Sequence, residues 1–129
     1  MKTKILIVED DANIRFGLQE VLQTEGFAIA VCERGDDAVD AVVKEKPALV
    51  LLDIMLPGKS GYEICKALKS DPATREIPVI FLTARSMPSE IKDALDLGAL
   101  GYLAKPFDPM SLVSQINELL SPVGCTIGG

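Results

Sequence analysis

The sequence predicts an α/β domain: a five-stranded parallel sheet, helices on both of its faces, and right-handed crossovers between strands. Three observations carry this. Five short apolar runs alternate along the chain with five segments whose apolar residues recur at helical spacing. The runs are largely unbroken, as strands covered on both faces require. A chain of 129 residues also suits one domain, which buries roughly two-thirds of its unfolded surface and needs no covalent staple.

The first run, Lys4-Ile-Leu-Ile-Val8, is β-branched and continuous, a strand. Ile14, Leu18, Val21 and Leu22 then fall at i, i+4, i+7 and i+8, one helical stripe, and Gly26 stands where a helix-ending glycine belongs. Phe27 to Cys32 reads as the second strand. Gly35 to Glu45 reads as the second helix, with Ala38, Ala41 and Val42 inward and Pro47 as its stop. Ala48 to Asp53 is the third and most apolar strand. Pro57-Gly-Lys-Ser60 is a turn, and Ser60 with Glu63 makes a capping box for a third helix through Leu68. Pro78 to Thr83 is the fourth strand. Pro88 suits the first position of a fourth helix carrying Ile91, Ala94 and Leu95 and closed by Gly98. Gly101 to Ala104 is a short fifth strand. Asp108 caps and Pro109 opens the fifth helix, with Leu112, Ile116, Leu119 and Leu120 on one stripe. The domain is expected to occupy residues 1–120; residues 121–129, small and glycine-rich, are expected as a flexible tail or linker stub.

Composition removes several function classes. Apolar residues make up 48% and charged residues 25% of the chain, a globular balance. The longest apolar runs, such as Ala48 to Leu52, fall far short of the ~20 residues of a spanning helix, and residues 1–8 lack the apolar core and cleavage site of a signal peptide. A cytoplasmic protein without membrane contact is expected. Thirteen basic against nineteen acidic residues leave a net charge of −6, which disfavours nucleic acid and anionic membranes as partners. The absence of histidine removes imidazole metal sites, triads and imidazole acid–base chemistry. Cys32, Cys65 and Cys125 are odd in number and scattered, and read as buried or incidental thiols.

In an open parallel sheet, ligands bind beyond the carboxyl ends of the strands. Those ends carry Glu9-Asp10-Asp11, Asp53, Thr83-Ala84 and Lys105-Pro106. Clustered carboxylates repel one another unless a cation sits among them, and oxygen-only donors select a hard ion, Mg²⁺ or Mn²⁺. Such an ion can bridge a carboxylate and a phosphoryl oxygen, while Lys105 pairs with other phosphoryl oxygens and Thr83 donates to another. Asp53 is then the nucleophile, forming an acyl phosphate. Blander readings stand beside these. Asp11 reads more simply as a helix N-cap, Thr83 as ordinary strand propensity and Lys105 as a surface ion pair. Asp53 resists a bland reading, because a charge after five apolar residues at a strand tip is costly unless compensated.

Residues 4–120 resemble the receiver domain of two-component response regulators, the chemotaxis regulators among them. The resemblance is carried by Ile5-Leu-Ile-Val-Glu-Asp-Asp11, Leu51-Leu-Asp-Ile-Met-Leu-Pro-Gly58 with Gly61, Pro78-Val-Ile-Phe-Leu-Thr-Ala84 and Gly101-Tyr-Leu-Ala-Lys-Pro-Phe107. Thirty residues separate Asp53 from Thr83 and twenty-two separate Thr83 from Lys105, spacings that fit the family. The resemblance implies a flavodoxin-like, doubly wound (βα)5 three-layer sandwich with strand order 2-1-3-4-5. It implies Asp53 as phosphoacceptor, Asp10 as direct Mg²⁺ ligand, Glu9 as the second acid acting through water, and the Met55 backbone carbonyl as a third protein ligand. Thr83 with Ala84 would hold the phosphoryl group, Lys105 would pair with it, Tyr102 would change rotamer as Thr83 moves, and the bond before Pro106 would be cis. Glu9 stands where the family more often has aspartate. Met55 and Arg85 occupy positions where the family tunes phosphoryl lifetime.

The same resemblance implies a sensor histidine kinase or histidine phosphotransfer protein as donor. It implies a switched face of fourth helix, fifth strand and fifth helix, read by a downstream protein or a fused output domain. Pairing of two copies on phosphorylation is left open. Two readings of other classes stand as alternatives: a degenerate receiver acting as a docking module, and an aspartyl-phosphate phosphohydrolase. The second needs an acid two residues after the nucleophile, where this chain has Met55. A flavin carrier is weaker still, since the loop after the first strand is acidic.

Overall fold

Strands that are apolar on both faces are satisfied only between two helical layers, and the chain adopts that arrangement. The structure, a computed structural model, describes residues 3–54, 56, 59–83, 96, 98–104 and 112–120. Strands β1 (Lys4–Val8), β2 (Ala28–Cys32), β3 (Leu49–Asp53), β4 (Val79–Thr83) and β5 (Gly101–Ala104) form one sheet of order β2-β1-β3-β4-β5. Every neighbouring pair is parallel, with Val8 beside both Cys32 and Leu52, Asp53 beside Leu82, and Thr83 beside Ala104. The strand tips are therefore level, and the residues at their carboxyl ends gather on one rim.

Period-two alternation divides the interior into two cores. Leu6, Val8, Val50, Leu52, Val79 and Phe81 pack on one face with Ala38 and Val42 of α2 (Ala38–Glu45) and Ile64, Cys65 and Leu68 of α3 (Gly61–Ser70). Ile5, Ile7, Leu49, Leu51, Ile80 and Leu82 pack on the other. There they meet Leu18 and Leu22 of α1 (Ala12–Thr24) and Leu112 and Ile116 of a C-terminal helix (Leu112–Leu120).

Local chemistry sets the boundaries. Asp11 caps α1, its Oδ1 accepting from the N–H groups of Asn13 (2.9 Å) and Ile14 (3.3 Å). The helix ends at Thr24 with Glu25 as its cap, Gly26 follows with a φ of 98° that suits glycine, and the next N–H, that of Phe27, bonds back to the Leu22 carbonyl at 3.1 Å. That bond explains why β2 starts at Ala28 rather than at Phe27 as expected. The second helix also departs from expectation: Gly35–Asp37 is a 3-10 turn, and regular helix begins only at Ala38. At its end Lys46 turns left-handed (φ 48°) with its N–H on the Val42 carbonyl (2.9 Å), and Pro47 prevents continuation. Strands β3 and β4 each begin one residue later than the expected Ala48 and Pro78. Helix α3 is capped by Ser60, whose Oγ accepts from the Glu63 N–H at 3.3 Å, and runs to Ser70, past the expected end at Leu68.

The fourth helix expected from Pro88, the cap expected at Asp108 with Pro109, and the tail 121–129 lie outside the described residues, although Asp96 is helical and Gly98 has φ 97°. No described helix is long and apolar enough to cross a membrane.

Candidate functional site at the carboxyl rim

The rim is acidic because β1 and β3 both run into carboxylates. Glu9 extends β1 by one rung, its N–H donating to the Cys32 carbonyl at 3.0 Å, and its side chain is fully buried. One carboxylate oxygen, Oε1, accepts from the Asp11 N–H at 3.1 Å. Asp10, next in the chain, is exposed. Asp53 ends β3 and is only 4% exposed. One carboxylate oxygen from each of Glu9, Asp10 and Asp53 lies within 4.8 Å of the others.

Backbone contacts behind Asp53 hold this geometry. The Ile54 N–H donates to the Leu82 carbonyl at 3.2 Å, and the Ile54 carbonyl in turn accepts from the Gly61 N–H at 2.9 Å. Gly61 comes so near that a Cβ built on it would stand 2.4 Å from the Asp53 carbonyl oxygen. Only glycine lets the start of α3 rest directly on the tip of β3.

Two buried carboxylates and a third exposed one at this separation oppose one another's charge, an arrangement that a hard dication relieves. The donor set is all oxygen, which fits Mg²⁺ or Mn²⁺ and does not fit a soft metal. Glu9, Asp10 and Asp53 are the residues that would hold the ion.

The other expected site residues follow β3 in the chain or belong to β4, β5 and the segments that come after them. Thr83 ends β4, buried, one position past the Leu82 that pairs with Asp53. Tyr102 of β5 pairs with Phe81 and packs against the core shared with α2 and α3. Thr83 lies two positions beyond Phe81, so Thr83 and Tyr102 share one face of the sheet on adjacent strands. Phe81 also meets Tyr62 of α3, ring centroids 5.5 Å apart at 55°. Met55, Ala84, Lys105 and Pro106 lie outside the described residues.

The structure adds one residue that the sequence pattern does not single out. Arg15, in the second turn of α1 and only 11% exposed in its side chain, sends Nη1 to the carbonyl oxygens of Glu9 (3.1 Å) and Asp10 (3.4 Å). Its Nη2 lies 2.9 Å from Glu33 Oε1, just past β2. The available signal was a basic residue five positions after Asp10, on the helix that leaves the acidic loop.

Comparison with known proteins agrees with this geometry. Residues 5–117 match the family model of the response regulator receiver domain. The Phosphate regulon transcriptional regulatory protein PhoB of Escherichia coli is 42% identical over 120 residues, covering 93% of this chain and 52% of that protein. The chain spans about half the length of the curated relatives it matches. Among solved structures, a putative response regulator from Chloroflexus aurantiacus superposes with a TM-score of 0.88 at 33% identity, covering 94% of this chain and 99% of that one. The BeF3-activated N-terminal receiver domain of Klebsiella pneumoniae RstA gives 0.84 at 34% identity, covering 92% and 98%. A flavodoxin-like sheet ordered 2-1-3-4-5, an acidic cluster at its carboxyl rim and a family match across nearly the whole length lead to one assignment: the chain belongs to the response regulator receiver domains of two-component signalling.

Proposed function

We propose that this chain is a phosphoacceptor switch in which Asp53 takes a phosphoryl group from a phosphohistidine. The observation that carries the reading is the convergence of Glu9, Asp10 and Asp53, within 4.8 Å, at the rim of a receiver fold. A carboxylate oxygen of Asp53 attacks phosphorus in line; the P–N bond of the donor breaks and its electron pair returns to the donor's imidazole nitrogen. Glu9, Asp10 and Asp53, with the Met55 carbonyl, would hold Mg²⁺, which when bound would offset charge on the transferring phosphoryl oxygens. Lys105 pairs with a second phosphoryl oxygen, and Thr83 with the Ala84 backbone takes a third. Water attack on the acyl phosphate later frees inorganic phosphate and restores Asp53.

The added group, about −2 in charge, draws Thr83 toward it. Tyr102, on the same sheet face one strand over, then moves into the vacated space. This carries the change to the face of fourth helix, β5 and C-terminal helix by biasing two pre-existing states. Transfer and hydrolysis are self-directed, so the chain signals and does not turn over a separate substrate. The donor is a sensor histidine kinase or histidine phosphotransfer protein in the cytoplasm. The reader of the switched face is a protein partner or an output domain, and two copies pairing on phosphorylation is one form that reading can take. Residues 1–120 form the receiver, and residues 121–129 a tail or linker stub.

Incubation with acetyl phosphate and Mg²⁺, with the intact mass measured afterwards, tests this. One added phosphoryl group in the parent and none in Asp53→Asn is the expected result. The absence of an adduct with any phosphodonor would replace the switch by a docking module, and turnover of unrelated phosphate esters would replace it by a hydrolase.

A further inference from the structure

We propose that Arg15 is a positioning residue for the metal pocket, a role that rests on the metal-binding reading above. Asp10 is the exposed member of the acidic cluster, so packing does not fix where its carboxylate points. Its backbone does. The peptide unit before Asp10 carries the Glu9 carbonyl, and the unit after it joins the Asp10 carbonyl to the Asp11 N–H in one plane. Arg15 Nη1 reaches the first carbonyl at 3.1 Å and the second at 3.4 Å, so one nitrogen touches both planes flanking the Asp10 Cα. The second plane is held at its other end too, where the Asp11 N–H donates to Glu9 Oε1 at 3.1 Å. With both planes held, φ and ψ of Asp10 are set and so is the direction of its Cα–Cβ bond, from which one carboxylate oxygen comes within 4.8 Å of those of Glu9 and Asp53.

The clamp is itself braced. Arg15 Nη2 pairs with Glu33 at 2.9 Å, and the Arg15 backbone N–H sits on the Asp11 carbonyl at 3.0 Å. A guanidinium suits this task because its donors are splayed in a rigid plane and can serve a loop carbonyl and a carboxylate at once. An ammonium at the same place is a single point of charge.

Charge and position make opposite predictions here. A cation beside a dication site repels the dication, so removing Arg15 for its charge alone would tighten Mg²⁺ binding. Removing it as a clamp would loosen binding, because Asp10 loses its fixed direction; outer partners of metal ligands commonly matter by about ten- to a hundredfold.

The experiment is a calorimetric Mg²⁺ titration, without phosphodonor, of the parent, Arg15→Lys and Arg15→Gln, each checked for folding by circular dichroism. Both variants are expected to bind Mg²⁺ more weakly, on the order of tenfold, while acetyl phosphate labelling of Asp53 recovers at saturating Mg²⁺. Affinity that is unchanged or tighter in Arg15→Lys, which keeps the charge, would overturn the proposal. Should Arg15→Gln fail to fold, Arg15→Lys decides alone. A parent with no affinity for Mg²⁺ would remove the pocket reading and this role with it, whereas a binding parent and an equally binding Arg15→Lys remove this role only.

Discussion

Asp53 sits on a backbone that tolerates no addition. A methyl group at Gly61 would meet the Asp53 carbonyl oxygen at 2.4 Å, and one at Gly35 would meet the Lys59 carbonyl oxygen at 2.2 Å. In both cases the obstacle is main chain, which cannot swing aside as a side chain can. Gly61→Ala is expected to destabilise the fold by about 1–3 kcal/mol, the usual range for overpacking, and to slow phosphoryl uptake because β3 must shift. Urea unfolding and adduct formation check the two effects, and an unchanged variant would deny the close approach. The thiols make a second residue-scale prediction. Burial pushes Cys32 and Cys65 above the ordinary value of 9.0; the Arg34 backbone acts against this at Cys32, where the Asp37 and Glu33 charges add to it, and Lys69 acts against it at Cys65. Both thiols therefore stay protonated in the fold under conditions where an unfolded chain ionises them. The unfolded state binds fewer protons, so stability falls as pH rises past 9.0 and the contribution is complete only below it. Unfolding free energy measured across that pH should drop less in Cys32→Ala and Cys65→Ala than in the parent.

At the scale of elements, the starts of α1 and α3 are set by side-chain oxygens, those of Asp11 and Ser60. Asp11 accepts two N–H groups of α1, and Asp11→Ala is expected to cost about 1 kcal/mol, the usual value of an N-cap. The same substitution should leave Mg²⁺ affinity nearly intact, since Asp11 is not in the carboxylate cluster; a large loss of affinity would place it there after all. Asp11 as a cap was legible in the sequence, and so were the strand interiors, because unbroken apolar runs have no other home in a domain of this size. Strand starts were less legible. Phe27 is as apolar as its neighbours, and only a helix end that needs its N–H keeps it out of β2. The switch from 3-10 to regular helix at Ala38 likewise leaves no mark in hydrophobic spacing. Glu9, Asp10 and Asp53 could be brought together from sequence alone, because level parallel strands place their carboxyl ends on one rim. Arg15 could not, since a basic residue in the early turns of a helix has the same pattern whether it faces water or turns back on a loop.

For the molecule as a whole, the acidic pocket is expected to tie stability to a bound cation. Three carboxylate oxygens within 4.8 Å repel one another and a dication among them relieves that repulsion, so Mg²⁺ should stabilise the native state and not the unfolded one. At a concentration a hundredfold above its dissociation constant it should add about 2.7 kcal/mol, visible as a raised melting temperature that a chelator reverses. Asp10→Asn should lose most of that gain, and a melting temperature indifferent to Mg²⁺ would deny the cluster its ion. Sheet order has a consequence of a different kind. Strand β1 comes first in the chain yet lies between β2 and β3. On the ribosome its side toward β2 can close early, but the other side stays open until Leu49–Asp53 has left the exit tunnel. At ordinary synthesis speeds of ~5–20 residues per second, the delay is on the order of a few seconds. Through that interval the nascent chain displays an unpaired edge of Ile, Leu and Val along β1, a segment that chaperone cover would protect.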